Sequence, residues 1–78
     1  MTTDDLTVVT GAGGFIGGHL VADLRRDGRV VRAVDLKPVD EWYRRFDDVE
    51  NVVADLRQER ACWEAAEGAS SVYNLAAD

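Results

Sequence analysis

Cysteine and positive charge are both scarce in this chain of 78 residues. Its one cysteine, Cys62, excludes an internal disulfide and a cysteine-rich metal site, and it fits a reducing compartment. Nine basic residues stand against fifteen acidic ones, so the net charge is −6 and the chain lacks the basic surface that nucleic acids and anionic membranes require. Residues 1–5 do not resemble a signal peptide, and no apolar run has the length of a membrane span. These absences predict a cytoplasmic protein that binds neither nucleic acid nor membrane.

The overall composition is that of a small globular domain. Hydrophobic residues make up 46% of the chain and charged residues 31%, a balance that argues against disorder. A chain of this length forms at most one domain and buries a smaller share of its surface than a larger protein does. No internal repeat or low-complexity linker divides it.

A glycine-rich stretch, Thr-Gly-Ala-Gly-Gly-Phe-Ile-Gly at residues 10–17, lies between a predicted strand and a predicted helix. The β-branched apolar run over residues 6–9 is typical of a buried strand, and Ile16, Leu20 and Leu24 recur every four residues, as on one face of a helix. Such a strand–turn–helix commonly receives a phosphate group, because the first helical turn presents unpaired N–H groups and a partial positive charge. A flexible loop is the alternative interpretation, and the flanking elements weigh against it.

The glycines of this stretch have separable predicted roles. Gly11 permits a tight turn off the strand, Gly14 lets the backbone approach a pyrophosphate without a Cβ in the way, and Gly17 lets the helix lie close against the sheet. Their spacing is G-x-x-G-x-x-G, which differs from the G-x-G-x-x-G of many dehydrogenases. Gly18 lies inside the predicted helix, where glycine lowers helix stability by about 1 kcal/mol relative to alanine. Its presence there predicts close packing or close approach to a ligand.

Further helices and strands follow the glycine-rich turn. We expect a helix over residues 14–27 closed by Gly28, strands over 30–34 and 51–54, a helix over 58–67 and a fourth strand over 71–75. Between the second and third strands, the spacing of Trp42 and Phe46 predicts a short helical stretch whose aromatic side chains cover a face of the sheet. Packing is the preferred role of these aromatic residues, and stacking on an adenine is the alternative.

Two acidic residues stand at the predicted carboxyl ends of strands, the edge at which open α/β sheets bind their ligands. Asp35 follows the glycines by about twenty positions, where a carboxylate accepts hydrogen bonds from an adenosine ribose and repels a 2′-phosphate. The alternative for Asp35 is a solvent-exposed residue that opens a turn before Pro38. Recognition of a 2′-phosphate by Lys37 is less favoured, because Asp35 lies beside it. Asp55 has two predicted roles, either to hydrogen-bond an adenine amino group or to form a capping box with Gln58 for the next helix.

Two residues with reactive side chains are assigned to structural roles. His19 lies on a helix that should point at phosphates and sheet, so packing or capping is preferred to catalysis. Cys62 lies on the predicted inner face of the second helix and is interpreted as a small core residue.

The glycine-rich turn, Asp35, the triplet Asp55-Leu56-Arg57 and the closing Asn-Leu-Ala-Ala-Asp of residues 74–78 together resemble the extended short-chain dehydrogenase/reductase superfamily, the nucleotide-sugar epimerases and dehydratases. Within it, the triplet followed by Cys62 and the closing residues are most similar to those of the GDP-mannose 3,5-epimerases. The fold expected is α/β, a Rossmann-type parallel sheet in the order 3-2-1-4 built from right-handed crossovers. The resemblance implies NAD as the cofactor.

The resemblance also implies which residues contact that cofactor. The pyrophosphate would be surrounded by Gly11, Gly14, Phe15, Ile16 and Gly17, and the adenosine ribose would be held by Asp35. The adenine would be bordered by Asp55 and Leu56, and the fourth-strand side of the cofactor would be lined by Leu75, Ala76 and Ala77. No residue is predicted to bind a metal.

The catalytic Tyr-x-x-x-Lys pair of the family has no counterpart here. Tyr43 and Tyr73 both lack a lysine four residues later, and Lys37 is the only lysine in the chain. The sequence therefore predicts the NAD-binding N-terminal segment, ending after the fourth strand, of an enzyme that removes a hydride from a sugar carbon and returns it. The segment alone is predicted to be inactive. The alternatives are a non-catalytic dinucleotide-binding module and an interaction fragment whose exposed fourth-strand edge pairs with another polypeptide, a second copy included.

Overall fold

The computed structural model describes residues 6–76, which form four strands and two α-helices. The strands are β1 (Leu6–Thr10), β2 (Val30–Asp35), β3 (Glu50–Val53) and β4 (Ala69–Asn74), and the helices are α1 (Phe15–Arg26) and α2 (Glu59–Ala66). Neighbouring strands pair in parallel in the order β3-β2-β1-β4. The predicted α/β sheet and its strand order are therefore confirmed, and the carboxyl ends of all four strands share one edge.

The two helices cover opposite faces of the sheet. Side chains alternate along a strand, so adjacent valines of β1 face opposite sides. Val9 is fully buried on the side of α1, where it belongs to the same cluster as Val21 and Leu24. Val8 is 1% exposed and belongs to the cluster on the other side, with Ala65 of α2. Each face thus has its own small core, as the order of the elements predicts.

Helix α1 begins and ends within one residue of its predicted bounds. Arg25 and Arg26 lie in its last turn, where their charges suit the helix dipole. Gly28 follows with φ +82°, and its N–H donates to Arg25 O while Arg29 N–H donates to Leu24 O. This glycine-closed helix end is the one that Gly28 predicts.

The buried face of α1 differs from the predicted one. Ile16 is 71% exposed, so the three residues that recur every four positions do not form one buried face. The buried positions of the helix are Gly17, Gly18, Val21, Ala22 and Leu24. Gly17 accounts for the close approach on this face, because a Cβ there would overlap the glycine-rich turn, whereas a Cβ on Gly18 would make only an ordinary contact with Arg44.

The connection between β2 and β3 does not form the predicted helical stretch through Trp42 and Phe46. It contains only a 3₁₀ turn over Val39–Glu41 that begins after Pro38, and Trp42 is already extended with ψ 144°. Proline fixes φ near the value that such a turn needs at its start. The predicted packing role is nevertheless confirmed, since Trp42 is 8% exposed and Phe46 packs partly buried against the same cluster.

Helix α2 and strand β4 are far more exposed than β1 and α1. Among the described residues of α2, Ala65 alone is buried. Cys62 is exposed, so its predicted role as a core residue is wrong. Strand β4 begins two residues earlier than predicted, at Ala69, because pairing with Leu6 extends it.

Candidate functional site

A groove of about 650 Å³ runs along the carboxyl ends of the strands. This is the edge at which parallel α/β sheets bind their ligands. The groove is lined by the glycine-rich turn, by the residues that follow β2 and β3, by one side of α2 and by the end of β4. Every strand of the sheet therefore contributes its end, or the residues just beyond it, to the same space.

The turn after β1 is shaped so that only glycine fits at its first position. Gly11 has φ +74°, a conformation that side chains rarely adopt. A Cβ on Gly11 would also lie 2.8 Å from Ala76 N and 2.8 Å from Leu75 C. The tight turn predicted for Gly11 is present, and it brings the turn into contact with the backbone that follows β4.

The N-terminus of α1 is open. Gly14 is the N-cap residue; no side chain caps the helix there, and its first turn carries no acidic residue. Among residues 6–76, a Cβ on Gly14 would meet only Gly11 O, at 3.6 Å, so none of the described residues fills the space in front of it. A Cβ on Gly17 would instead overlap Gly11 O and come within 2.8 Å of Ala12 Cα. Gly17 therefore permits close packing of the helix on the turn, while Gly14 leaves the unpaired N–H groups of the first turn accessible.

The carboxylate of Asp35 is anchored by two main-chain donors. Gly13 N–H donates to Asp35 Oδ2 at 2.8 Å, and Lys37 N–H donates to Asp35 Oδ1 at 3.0 Å. The first bond joins the end of β2 to the glycine-rich turn. Asp35 lines the groove in this fixed orientation.

Asp55 does not cap the following helix. Its side chain accepts three hydrogen bonds from Arg57, one from the main-chain N–H and two from the guanidinium group, at 2.8–3.1 Å. The N-cap of α2 is Gln58, with no side-chain cap, so the capping-box alternative is wrong. The guanidinium and main-chain hydrogen bonds from Arg57 lower the pKa of Asp55 from 3.8 to about 2. The carboxylate that faces the groove is thus ionised at neutral pH.

A hydrogen bond between β1 and β4 was not predicted. The Thr10 hydroxyl donates to Asn74 Oδ1 at 2.6 Å, and both residues line the groove. They are 64 positions apart in the sequence, so no local pattern pairs them. Gly13, which holds Asp35, was also missed, although the density of glycines at residues 10–17 was a signal that could have identified it.

The α2 side of the groove explains the exposure of the cysteine. Cys62, Ala65 and Ala66 line the groove together with Leu56. These small side chains do form one face of the helix, as predicted, but that face borders the groove as well as the sheet. The thiol therefore faces open space in the part of the chain that the structure describes.

The groove brings together seven of the eleven predicted site residues, namely Gly11, Gly14, Asp35, Asp55, Leu56, Leu75 and Ala76. Phe15, Ile16 and Gly17 do not line it, and they occupy the first turn of α1. Ala77 lies outside the described residues. His19 is exposed; its ring lies 4.6 Å from that of Phe15, so it makes a surface aromatic contact and does not cap a helix.

Two other kinds of site have no counterpart in the described part of the chain. Over residues 6–76, no group of three or more histidine, cysteine or acidic side chains is placed to hold a metal ion. In the same range, neither helix is long and apolar enough to cross a membrane.

Comparison with known proteins identifies the family. Residues 7–78 match the model of the NAD-dependent epimerase/dehydratase family. The chain belongs to this family. The chain is 39% identical in sequence to the GDP-mannose 3,5-epimerase of Arabidopsis thaliana over 70 residues. These residues cover 90% of this chain and 19% of that enzyme. This epimerase/dehydratase chain therefore spans about a fifth of the length of the curated relatives that it matches.

Solved structures support the same assignment. A short-chain dehydrogenase/reductase superfamily protein from Agrobacterium tumefaciens with bound NAD has a TM-score of 0.77 and 37% identity, over 94% of this chain and 20% of that one. UDP-glucose 4-epimerase from Thermus thermophilus, in complex with NAD, has a TM-score of 0.79 and 28% identity, over 94% of this chain and 24% of that one. The predicted superfamily, Rossmann-type fold and cofactor type are confirmed: the family is NAD-dependent, and both of these relatives hold NAD.

The groove of the epimerase/dehydratase chain has the features that NAD requires. A pyrophosphate needs backbone N–H groups that it can approach closely, and the open position at Gly14 provides that approach. An adenosine ribose needs a hydrogen-bond acceptor, and Asp35 presents one at the end of β2. The cofactor's contacts with individual residues stay a prediction.

Proposed function

We propose that this chain is the NAD-binding N-terminal part of a nucleotide-sugar epimerase or dehydratase. The observation that supports it most directly is the groove, which connects the open N-terminus of α1 with the anchored carboxylate of Asp35. An anion is favoured at the helix N-terminus and a hydroxyl donor at the carboxylate. One dinucleotide carries both groups, as a pyrophosphate and an adenosine ribose.

The proposal assigns the predicted residues to three parts of the cofactor. The pyrophosphate is assigned to the backbone of Gly11 and Gly14 and to the first helical turn, which holds Phe15, Ile16 and Gly17. The adenosine is assigned to Asp35, Asp55 and Leu56. The other half of the dinucleotide, beyond the pyrophosphate, is assigned to the end of β4, at Leu75 and Ala76, and to Ala77.

The residues of this chain bind and orient, and the chemistry requires others. NAD supplies a hydride acceptor when it is bound, and in the family a sugar carbon is oxidised to a ketone and then reduced. That reaction also needs an acid–base group within hydrogen-bond reach of the sugar hydroxyl. Neither Tyr43 nor Tyr73 is followed, four residues later, by the lysine of the family's Tyr-x-x-x-Lys pair. We therefore propose that the catalytic residues are not in this chain and that the chain alone turns over no nucleotide sugar.

Calorimetric titration of the 78-residue chain with NAD and with NADP tests the cofactor assignment. We expect NAD to bind more tightly by at least about tenfold, because a 2′-phosphate would face the Asp35 carboxylate and like charges in contact are costly. Asp35→Asn should narrow this difference. Equal or tighter binding of NADP would show that Asp35 is not the ribose ligand.

Two glycine variants locate the phosphate site. Gly14→Val should fold, because the position is open and its φ is −85°, yet it should lose NAD binding because the branched side chain occupies the space of the pyrophosphate. Gly18→Ala, on the same helix but away from the groove, is the matched control and should bind NAD like the unmodified chain. A folded Gly14→Val that binds NAD normally would place the phosphate elsewhere.

Incubation with NAD and a panel of GDP-, UDP- and dTDP-sugars tests the proposed inactivity. We expect neither NADH absorbance nor new sugar stereoisomers. Turnover that survives repurification and disappears in Gly14→Val would mean that this chain holds its own acid–base group.

A further inference from the structure

Trp42 is buried in the middle of an exposed segment. It is 8% exposed, whereas Leu36 and Tyr43 in the same segment are 55% and 56% exposed. Its ring belongs to the core on the α1 face of the sheet. Trp42 does not line the groove, so any effect that it has on a bound ligand must act through other residues.

The indole of Trp42 closes the segment that follows β2 into a loop. Trp42 Nε1–H donates to Lys37 O at 2.8 Å, and Trp42 N–H donates to Val39 O at 3.1 Å. Lys37 N–H in turn donates to Asp35 Oδ1 at 3.0 Å. The loop is therefore tied at its beginning by the Asp35 carboxylate and at its end by the indole, and Lys37 takes part in both ties.

The same indole packs against the glycine-rich turn at Gly13. A Cβ on Gly13 would lie 2.7 Å from Trp42 Cδ1 and 3.0 Å from Asp35 Oδ2, so the ring and the carboxylate together fill that space. Gly13 N–H donates to Asp35 Oδ2, and Gly13 O accepts a hydrogen bond from Tyr43 N–H, both at 2.8 Å. Both main-chain polar groups of Gly13 are thus bonded to the ends of the loop that Trp42 closes.

We propose that Trp42 is a positioning residue for the dinucleotide site: through Gly13 and Lys37 it fixes the Asp35 carboxylate and so increases the affinity for NAD and its preference over NADP. The inference rests on the proposed function, because it takes Asp35 as the ribose ligand. A carboxylate has about four acceptor positions, so an Asp35 that accepts two main-chain hydrogen bonds still accepts the two ribose hydroxyls. A side chain that is already fixed loses no rotamer freedom on binding, which favours affinity.

Trp42→Phe keeps a ring in the core and removes the Nε1–H donor. We expect NAD to bind about fivefold more weakly, which corresponds to one neutral hydrogen bond, and the ratio of NAD to NADP affinity to fall. Trp63→Phe is the matched control, because Trp63 is 72% exposed on α2 and lies outside the groove. It should leave both affinities unchanged. Unchanged NAD and NADP affinities in Trp42→Phe would overturn the proposal and leave the proposed function intact.

A double-mutant cycle with Asp35→Asn shows whether Trp42 acts through the carboxylate. Once Asp35 has lost its charge, Trp42→Phe should weaken NAD binding no further, because the two residues form one unit. If the two losses are additive instead, Trp42 contributes to binding independently of Asp35, and the proposal is wrong.

A variant that retains Trp42 gives a spectroscopic test. The chain has two tryptophans, so Trp63→Phe makes Trp42 the only one, and NAD binding at Asp35 should change its fluorescence although the cofactor does not touch it. In Trp42→Phe, the remaining Trp63 should give no such change. Saturation with NAD, verified by calorimetry, without any change in Trp42 emission would contradict the coupling.

Amide hydrogen exchange followed by NMR separates positioning from a general loss of stability. In Trp42→Phe, the amides of Gly13 and Lys37 should exchange faster than in Trp63→Phe, while those of the buried residues Val8 and Val9 stay unchanged. A uniform acceleration would mean that Trp42 only stabilises the core, which overturns the proposal. Failure of the unmodified chain to bind NAD would overturn the proposed function and with it the role of Asp35, whereas the exchange pattern would still show whether Trp42 holds the loop.

Discussion

The first half of this protein, β1 to β2, is packed much more tightly than the second half, β3 to β4. Of the described residues, α1 buries five and α2 buries one, and β4 has no buried position. Val9 and Val34 in the first half are completely inaccessible, whereas Val72 and Trp63 in the second half are 50% and 72% exposed. The glycine-rich turn and Asp35 therefore rest on the more deeply buried half, and the second half, which contributes Ala65 to the core, adds an exposed wall to the groove.

The first half therefore supplies most of the buried core, and the second half completes the groove. A ligand that lies in the groove would touch both halves, since Asp35 lies on one wall and Asp55 and Leu56 on another. A ligand that binds only the folded state stabilises it by an amount that rises with the logarithm of the ligand concentration divided by Kd. We therefore expect NAD to order the second half more than the first.

The largest effect is expected in the first half, at the contact between α1 and the glycine-rich turn. In Gly17→Ala the new Cβ would overlap Gly11 O, which is main-chain and cannot move away cheaply. We expect a loss of about 3 kcal/mol or more in the free energy of unfolding, a large share of the stability that a small domain has.

Gly18→Ala is the matched control for that prediction. Its Cβ would meet Arg44 Cβ at 3.5 Å, an ordinary contact, and alanine gains about 1 kcal/mol over glycine inside a helix. Urea denaturation followed by circular dichroism compares the two variants. If Gly17→Ala is as stable as Gly18→Ala, α1 does not pack on the turn as described.

A pair of valines compares the two halves directly. Val9→Ala removes two methyl groups from a fully buried position and should cost about 2 kcal/mol. Val72→Ala, in β4, removes the same atoms from a side chain that is 50% exposed and should cost less than about 0.5 kcal/mol. The midpoints of thermal or urea unfolding measure both. Similar losses in the two variants would show that β4 is covered in solution, for example by a second copy of the chain.

Sequence reasoning succeeded where a local pattern decides the structure. The strand before the turn, the glycines and Asp35 lie within about 30 consecutive residues, and each has a conformational or spacing signal of its own. The reverse strand order of β3, β2 and β1 follows from the connection rules for parallel sheets. Apart from β3, these parts all lie in the first half.

Sequence reasoning failed where a residue contacts another that is distant in the sequence, and where a side chain faces the groove instead of the core. Cys62 lies on an apolar helical face, as predicted, but periodicity cannot tell whether such a face meets the sheet or a groove. Trp42 and Phe46 have helical spacing, yet the helical structure ends after one 3₁₀ turn over Val39–Glu41, and Trp42 is extended where it packs on Gly13. The Thr10–Asn74 bond joins residues 64 positions apart, which no local pattern indicates.

The free edge of the second half predicts weak self-association. Within residues 6–76, β4 pairs with β1 on one edge and with no strand on the other, and it contains no charged residue to discourage another strand. Tyr73→Lys places a charge on this strand at a side chain that is 42% exposed and outside the groove. We expect sedimentation velocity to show a concentration-dependent increase for the unmodified chain and a smaller one for Tyr73→Lys. Val30→Lys, at an exposed valine of the interior strand β2, is the control and should associate like the unmodified chain.

The smallest effect concerns pH and the two halves' carboxylate–arginine pairs. In the second half, hydrogen bonds from Arg57 lower the pKa of Asp55 to about 2. Asp48 lies in the connection between β2 and β3, and the hydrogen bond from Arg25 of α1 lowers its pKa. A carboxylate whose folded-state pKa lies below its unfolded value contributes stability above the unfolded pKa and loses it as the pH falls through the folded one. For Asp55 that window runs from 3.8 down to about 2. Asp55→Asn should therefore flatten the decline of the urea midpoint in this window and leave the values between about pH 5 and pH 7 slightly lowered. The change should be small because the Arg57 side chain is 72% exposed and solvent screens the pair.

Asp48→Asn should lower the stability near neutral pH more than Asp55→Asn does. The Arg25–Asp48 bond joins segments 23 residues apart, whereas Asp55 and Arg57 are two residues apart. A pH profile of Asp55→Asn that coincides with that of the unmodified chain below about pH 4 would show that Arg57 does not hold this carboxylate in solution.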